Sequence, residues 1–295
     1  MPDIRPYAGI ARAPFLLLPV ALVAAGAGAA RYGGSFDILR TLIALVGLLS
    51  LHIAVNALNE ASDMVTGIDL ETDRTPFSGG SGTLPSGALS VGTARRFAYL
   101  AAGVGLGCGI YFLIVVGPIM LPLMAAGALL VLFYTDMLAR TALGEAAAGL
   151  GLGMLPVVGS ALVQDGSVPP AAWIASVPAF LMTFDLLLLN EFPDEEADRK
   201  GGRRNLVLLL GRPAAARVYA AAGLLVPAWI GAAVAAGWLP PPVLAALLPS
   251  LALVGPVRWA FGAPEEAVPI PALGSNVIWN LATNLVLGLT LFLAA

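Results

Sequence analysis

Residues 39–69 read LRTLIALVGLLSLHIAVNALNEASDMVTGID. The run up to Val55 is almost wholly apolar, and a bilayer core about 30 Å thick takes roughly 20 such residues in a helix. Beyond Val55 the character changes: Asn56, Asn59, Glu60 and Asp63 succeed one another within eight residues. At about 100° per residue these four share one helix arc about 100° wide. His52, the only histidine, falls in the same arc one turn deeper. The stretch reads as a membrane-crossing helix that carries a stripe of amides and carboxylates to the membrane surface. Ionisable groups beside hydrocarbon are costly and mark functional sites.

The rest of the chain repeats the apolar theme. Of 295 residues, 59% are hydrophobic and 11% charged, against about 25% charged in a soluble globular domain. Mean hydropathy is +0.89. Further apolar runs place candidate spans near 13–30, 39–58, 96–116, 118–135, 142–163, 171–190, 214–236, 241–261 and 273–294. The runs are continuous rather than alternating, which argues against a β-barrel. The expected fold is all-α: a polytopic membrane helical bundle of about nine transmembrane helices around a central cavity. The first run has no short basic region and cleavage signature, so it reads as a retained helix rather than a signal peptide. Cys108, the single cysteine, lies inside an apolar run; no intrachain disulfide or cysteine metal site is expected.

Charge sets the expected orientation. All but Arg31 and Arg40 of the 15 basic residues fall at the N-terminus or in the connections after spans 2, 4, 6 and 8. The positive-inside rule places that side, N-terminus included, in the cytoplasm, and with nine spans the C-terminus lies outside. The setting is a bacterial-type inner membrane. Net charge is −3, with no global basic surface, which excludes nucleic acid as a partner.

Most acidic residues share the same face, concentrated in segments 59–95 and 190–213. The second opens Asn190-Glu191-Phe-Pro-Asp194-Glu195-Glu196-Ala-Asp198-Arg199-Lys200. Asn190, Asp194 and Asp198 span an arc of about 80°. If the two helices face each other, two carboxylate–amide stripes converge on one cavity. Hard oxygen ligands of this kind suit Mg²⁺, which takes one or two carboxylates plus substrate phosphates. Arg199, Lys200, Arg203 and Arg204 stand ready to neutralise those phosphates. A solvated, charge-balanced loop is the plainer alternative; two like-spaced copies at membrane exits count against it.

At these residues the chain resembles the UbiA superfamily of intramembrane prenyltransferases. Asn59-Glu60-Ala-Ser-Asp63-Met-Val-Thr-Gly67-Ile-Asp69 is similar to the first Asp-rich motif of its menaquinone-type branch. Asn190-x-x-x-Asp194-x-x-x-Asp198-Arg199-x-x-Gly202-Arg203-x-Asn205-Leu206 is similar to the second. Shorter matches are Arg12-x-Pro14 with Pro19, Tyr134-Thr135 and Gly144-Glu145. The resemblance covers nearly the whole chain, read as one domain, 1–295. Glu60 stands where the branch often has Asp, which keeps an oxygen ligand with a longer reach; Asn205 stands where Thr is common. The Gly/Ser-rich stretch 75–85 is unusual. Its backbone N–H groups could cradle a diphosphate, it could form a mobile lid, or it could be a plain flexible connector.

The resemblance implies Mg²⁺-dependent transfer of a prenyl chain from an allylic prenyl diphosphate to a lipophilic, aromatic acceptor dissolved in membrane lipid, as in quinone-type isoprenoid biosynthesis. It implies metal ligands among Asn59, Asp63, Asp69, Asn190, Asp194 and Asp198. Asn59, Asp63, Asp194 and His52 are the expected catalytic residues. Asn56, Arg12, Arg74, Asn190, Arg199, Lys200, Arg203 and Tyr134 are expected to bind substrate. His52 either assists proton transfer or contacts the acceptor, or is a satisfied interhelical histidine. Asp185 falls opposite the Asn190/Asp194/Asp198 face and reads as a helix–helix contact. Asn276, Asn280, Thr283 and Asn284 form a stripe that either glues helices together or lines the cavity. A terpene cyclase of the same fold and, more remotely, a transporter are the competing functions; the one-sided charge argues against a path across the bilayer.

Overall fold

The computed structural model describes residues 3–295. Among them every regular element is helical. Eight helices are long and apolar enough to cross a membrane: α1 (Ala13–Tyr32), α2 (Ile38–Thr66), α3 (Val91–Val115), α5 (Gly144–Asp165), α6 (Pro170–Lys200), α7 (Arg212–Ala235), α8 (Pro241–Gly262) and α9 (Ile270–Leu293). Between α3 and α5 lies α4 (Met120–Phe133), 14 residues long, or about 21 Å. The expected span 118–135 is therefore shorter than a full crossing. Gly117 and Pro118 delay its start, and beyond Phe133 the chain turns away. A short helix, Arg5–Ile10, precedes α1.

Two helices run well past the apolar boundary at which they were expected to end. α2 continues to Thr66 and stops at Gly67, whose φ of +83° supplies the left-handed cap that ends it. α6 continues to Lys200 through Pro193. Asn56–Asp63 and Asn190–Asp198 thus stand on helix, not loop, so their spacing of three and four becomes one face each. Ser90 caps α3 by accepting from the Thr93 N–H at 3.1 Å, and Asp37 caps α2 through the Arg40 N–H at 3.0 Å.

One apolar cluster joins α1, α5, α6, α7, α8 and α9, including Leu22, Val157, Met182, Ile230, Val243 and Trp279. Small residues let the backbones approach. A Cβ on Gly28 of α1 would collide with the Gly288 carbonyl oxygen of α9, the close approach that membrane helices gain from glycine. α5 is interrupted at Leu150–Met154 by a π-type turn, with Leu152 outside helical geometry. The freed Leu152 carbonyl accepts from the Thr183 hydroxyl of α6 at 2.8 Å. Such turns concentrate at functional sites, and this one forms a wall of the main cavity.

Of the polar stripe of α9, Asn276 binds helices together, while Asn284 bonds only to Asn280 within α9. Tyr219 donates to Asn276 Oδ1 at 3.1 Å and Asn276 donates to the Asp185 carbonyl at 3.2 Å. Asp185 faces α7, where a Cβ on Gly223 would meet its Oδ2 at 3.2 Å. Neither Asp185 nor the α9 stripe lines the main cavity.

Candidate active site

α2 and α6 bring the two acidic faces together beneath the connection from α2 to α3. Asp63 Oδ2 accepts from Asn59 Nδ2 at 2.8 Å. Its Oδ1 accepts from Arg203 Nη2, which also donates to Asn59 Oδ1 at 3.1 Å. The other arm of Arg203 lies 3.6 Å from Asp198 Oδ1. Burial opposes the Arg203 charge, but Asp63 and Asp198 outweigh it and hold its pKa above the ordinary arginine value. Asp198 Oδ2 accepts from Asn205 Nδ2 at 2.9 Å, and Asn205 Oδ1 caps the short helix Leu206–Leu210 through the Leu208 N–H. The chain after α6 folds back into the site because Asn205 and Arg203 both seek the carboxylates there.

The glycine-rich stretch folds over the same carboxylates. Gly79, at φ +81°, donates its N–H to Asp194 Oδ2 at 3.2 Å. Ser81 donates its N–H and hydroxyl to the two oxygens of Glu60, at 2.7 and 2.8 Å. Arg12 Nε donates to the same Glu60 at 3.0 Å. Glu60 is fully buried and does not line the cavity. Its longer side chain is spent on the N-terminal segment and the loop, which corrects its expected place as an oxygen ligand. Arg12 itself holds a left-handed backbone, φ +49°, a strained conformation of the kind kept at functional sites. Asn56 Nδ2 donates to the Ala11 carbonyl at 2.9 Å, holding that turn against α2.

A cavity of ≈ 220 Å³ lies beneath. Arg12, His52, Asn56, Asn59, Asp63, Asp69, Tyr134, Asn190, Asp194, Asp198 and Arg203 all line it. Arg74, Arg199 and Lys200 do not. Arg199 bonds Glu195 and Lys200 bonds Glu71, both near the outer surface; Arg74 donates to the Asp69 carbonyl. On α6, Arg199 and Lys200 lie about 100° and 200° round from Asp198, so they leave the site face. Glu191 lines the cavity unforeseen; its i,i+3 relation to Asp194 was the signal. Phe15, Phe77 and the π-turn residues Gly151 and Leu152 complete the wall.

The donor set fits a hard divalent cation. Asp69 Oδ2, Asp194 Oδ1 and Asp198 Oδ1 are buried without a hydrogen-bond partner, and an unpartnered buried carboxylate oxygen is costly unless a cation or donor meets it. Among the described residues no group of three His, Cys, Asp or Glu side chains closes into a metal cage. Mg²⁺ needs none, since it takes few protein carboxylates and completes its shell with water and phosphate oxygens. Asp69 is 2% exposed. Burial, then the charges of Glu60 and Asp63, pushes its carboxyl from 3.8 up to about 7.

Fold and site define an integral membrane helical protein with a carboxylate-lined cavity closed on one side by an extramembrane loop. Residues 17–281 match the UbiA prenyltransferase family, and the chain belongs to it. It is 28% identical over 204 residues to the 1,4-dihydroxy-2-naphthoate octaprenyltransferase of Bacillus subtilis (strain 168), a match covering 66% of this chain and 62% of that protein. The chain thus spans less than two thirds of that relative's length. Its fold is similar to that of a UbiA homologue from Aeropyrum pernix K1, with a TM-score of 0.72 at 18% identity over 95% of this chain and 98% of that one. A UbiA homologue from Archaeoglobus fulgidus bound to GPP and Mg²⁺ gives 0.69 at 14% identity over 97% and 99%.

Proposed function

We propose that this chain transfers a prenyl group from an allylic diphosphate to a lipophilic aromatic acceptor within the membrane. The observation that carries the reading is the convergence of three buried carboxylate oxygens without a hydrogen-bond partner, on Asp69, Asp194 and Asp198, with Arg12 and Arg203 on a cavity that also has apolar and aromatic walls. Family membership supports it, as does the naphthoate acceptor in the name of the Bacillus relative.

The reaction replaces a hydrogen of the acceptor with the prenyl group and releases diphosphate and one proton. Asp63, Asp69, Asp194 and Asp198, with the amides of Asn59 and Asn190, would hold Mg²⁺, which would neutralise the charge that builds on the departing diphosphate. Arg12 and Arg203 add fixed positive charge beside it. Phe15, Phe77 and Tyr134 line the same cavity, and aromatic faces would stabilise the allylic cation left as the diphosphate departs. The apolar wall excludes water that would otherwise quench it. His52 lines the cavity one turn deeper on α2 than Asn56, where it would meet the acceptor.

The orientation follows the charge. The N-terminus and both acidic segments lie in the cytoplasm of a bacterial-type cell, and the C-terminus outside if α4 crosses with the other eight. The test is incubation of purified protein with Mg²⁺ and several prenyl diphosphates, with and without aromatic acceptors, followed by mass spectrometry. A prenylated acceptor is expected. A cyclic hydrocarbon formed without acceptor would make the protein a terpene cyclase, and absence of diphosphate release would sink both readings.

A further inference from the structure

A cavity of ≈ 150 Å³ lies at the end of the bundle that carries the acidic segments, between the last turns of α2, the first turns of α3 and the chain just beyond α4. Ser62, Arg95, Tyr99, Leu132, Thr135 and Asp136 line it. The volume is well above the about 10–15 Å³ that one water needs. The cavity sits behind the catalytic wall: Ser62 precedes Asp63 and Thr135 follows Tyr134, and Asp63 and Tyr134 line the main cavity.

Its two charges are opposite but not joined. Arg95 and Asp136 are both exposed and line the same space, yet among the described residues neither belongs to an ion pair. Asp136 is held in place by the Ser62 hydroxyl, which donates to its Oδ1 at 2.8 Å. A carboxylate so held still has lone pairs for further donors. The guanidinium of Arg95 offers only donors, in a fork that matches phosphate oxygens. The hydroxyls of Tyr99 and Thr135 can donate or accept. An anion set on Arg95 alone would bring its charge close to Asp136 as well. A ligand that carries both signs, a phosphate at one end and an ammonium at the other, satisfies both walls at once.

The surroundings say what else that ligand carries. Tyr99 and Leu100 on α3, and Leu132 and Phe133 at the end of α4, are exposed beside the cavity. On a membrane protein such side chains face hydrocarbon, and tyrosine and arginine at a span's end mark the headgroup level. A molecule bound here has its polar end in the cavity and its apolar part against the outside of the bundle.

We propose that this cavity seats the headgroup of a membrane aminophospholipid, its phosphate on Arg95 and its ammonium on Asp136, with the acyl chains over the outer faces of α3 and α4. The site is independent of the prenyl-transfer reading, since it involves no reacting group and its test needs no turnover.

Native mass spectrometry of the purified protein checks it, with phosphatidylethanolamine, its N-methylated series up to phosphatidylcholine, and phosphatidylglycerol offered in turn. One phosphatidylethanolamine should be retained about two- to fivefold more tightly than phosphatidylcholine, the scale of a part-exposed ion pair. The preference should fade along the methylated series as the ammonium loses its N–H donors. Asp136→Asn, which can still accept from Ser62, should hold phosphatidylethanolamine and phosphatidylcholine equally. Arg95→Gln should weaken both alike. Equal retention of the two lipids by the wild type, or a preference that survives in Asp136→Asn, overturns the proposal. So does tighter retention of phosphatidylglycerol than of phosphatidylethanolamine, which would make Arg95 a plain anion site. Displacement of the lipid by equimolar soluble phosphoethanolamine would make the ligand a free phosphate compound and overturns it too.

Discussion

Arg203 donates to Asp63 across 140 residues of sequence, and with Asp198 3.6 Å from its other arm it is the cation that both acidic helices share. The side chains of Arg203, Asp63 and Asp198 are 17%, 7% and 1% exposed. Removing one member of a buried pair leaves an uncompensated charge, at about 3–5 kcal/mol. Arg203→Ala should therefore melt well below the wild type. Added Mg²⁺ should raise its melting temperature more than that of the wild type, because the carboxylates gain the cation they lost. Thermal scans with EDTA or Mg²⁺ check this; a variant as stable as the wild type in EDTA would show that the triad contributes nothing.

Asp63→Asn and Asp194→Asn should each lower turnover about 10²–10³-fold, the usual cost of losing one electrostatic partner of the transition state. Asp194→Asn keeps the shape and the bond from Gly79; Asp63→Asn removes one charge paired with Arg203 and should melt lower, while Asp198 still pairs that guanidinium and keeps the variant folded. Full activity in EDTA, or near-normal turnover in either variant, would remove the metal-site reading.

Asp69 gives a pH signature. Its folded pKa of about 7 lies above 3.8, so the native state binds the proton more tightly than the unfolded chain. Its contribution to stability is fully present below about pH 4 and is lost as pH rises to about 7. Metal-free protein should lose stability between pH 4 and 7, and Asp69→Asn should flatten that slope. Because metal binding requires the deprotonated group, apparent Mg²⁺ affinity should rise from pH 6 to 8 in the wild type and much less in Asp69→Asn. Titration calorimetry at three pH values measures it; identical slopes would exclude Asp69.

His52 is buried on the cavity wall with Nδ1 unpartnered, one turn below Asn56. His52→Ala should uncouple the reaction: diphosphate release persists while hydrolysis or elimination products replace the prenylated acceptor. Unchanged products and rate would make His52 a packing residue; a loss of donor affinity would place it at the phosphates.

Cysteines at Ser86 and Glu196, both exposed, should react with an impermeant thiol reagent only from the cytoplasmic side in a Cys108-free background. Labelling from outside would reverse the orientation. Gly201, an equally polar address, is unsuitable, because a Cβ there would collide with the Ile68 side chain.

Periodicity carried the legible part of this molecule. The facing stripes of α2 and α6 were readable because carboxylates and amides at spacings of three and four have one geometric meaning on a helix. The length of α4 was not, since apolar composition alone does not say where a chain turns. Nor was the division of labour among the cations. Arg199, Lys200 and Arg203 look alike in sequence, but the first two leave the α6 site face by simple rotation, while Arg203 comes after the helix and is folded back by Asn205. Glu60 shows a third kind of blindness. It shares the arc of Asn56 and Asp63 but sits at its edge, where Ser81 and Arg12, supplied by two other segments, claim both of its oxygens.

The meeting of Gly28 and Gly288 has a consequence for how the protein is made. α1 is synthesised well before α9, so Gly28 has no packing partner until α9 enters the membrane, although Gly26 already meets Val157 and Ser160 of α5. α1 and α9, far apart in sequence, close against each other at that glycine pair. Arg12 and the turn leading into α1 are seated by α2 itself, through Glu60 and Asn56. A chain stalled before residue 270 would carry both acidic stripes while Gly28 of α1 still faced lipid in place of Gly288.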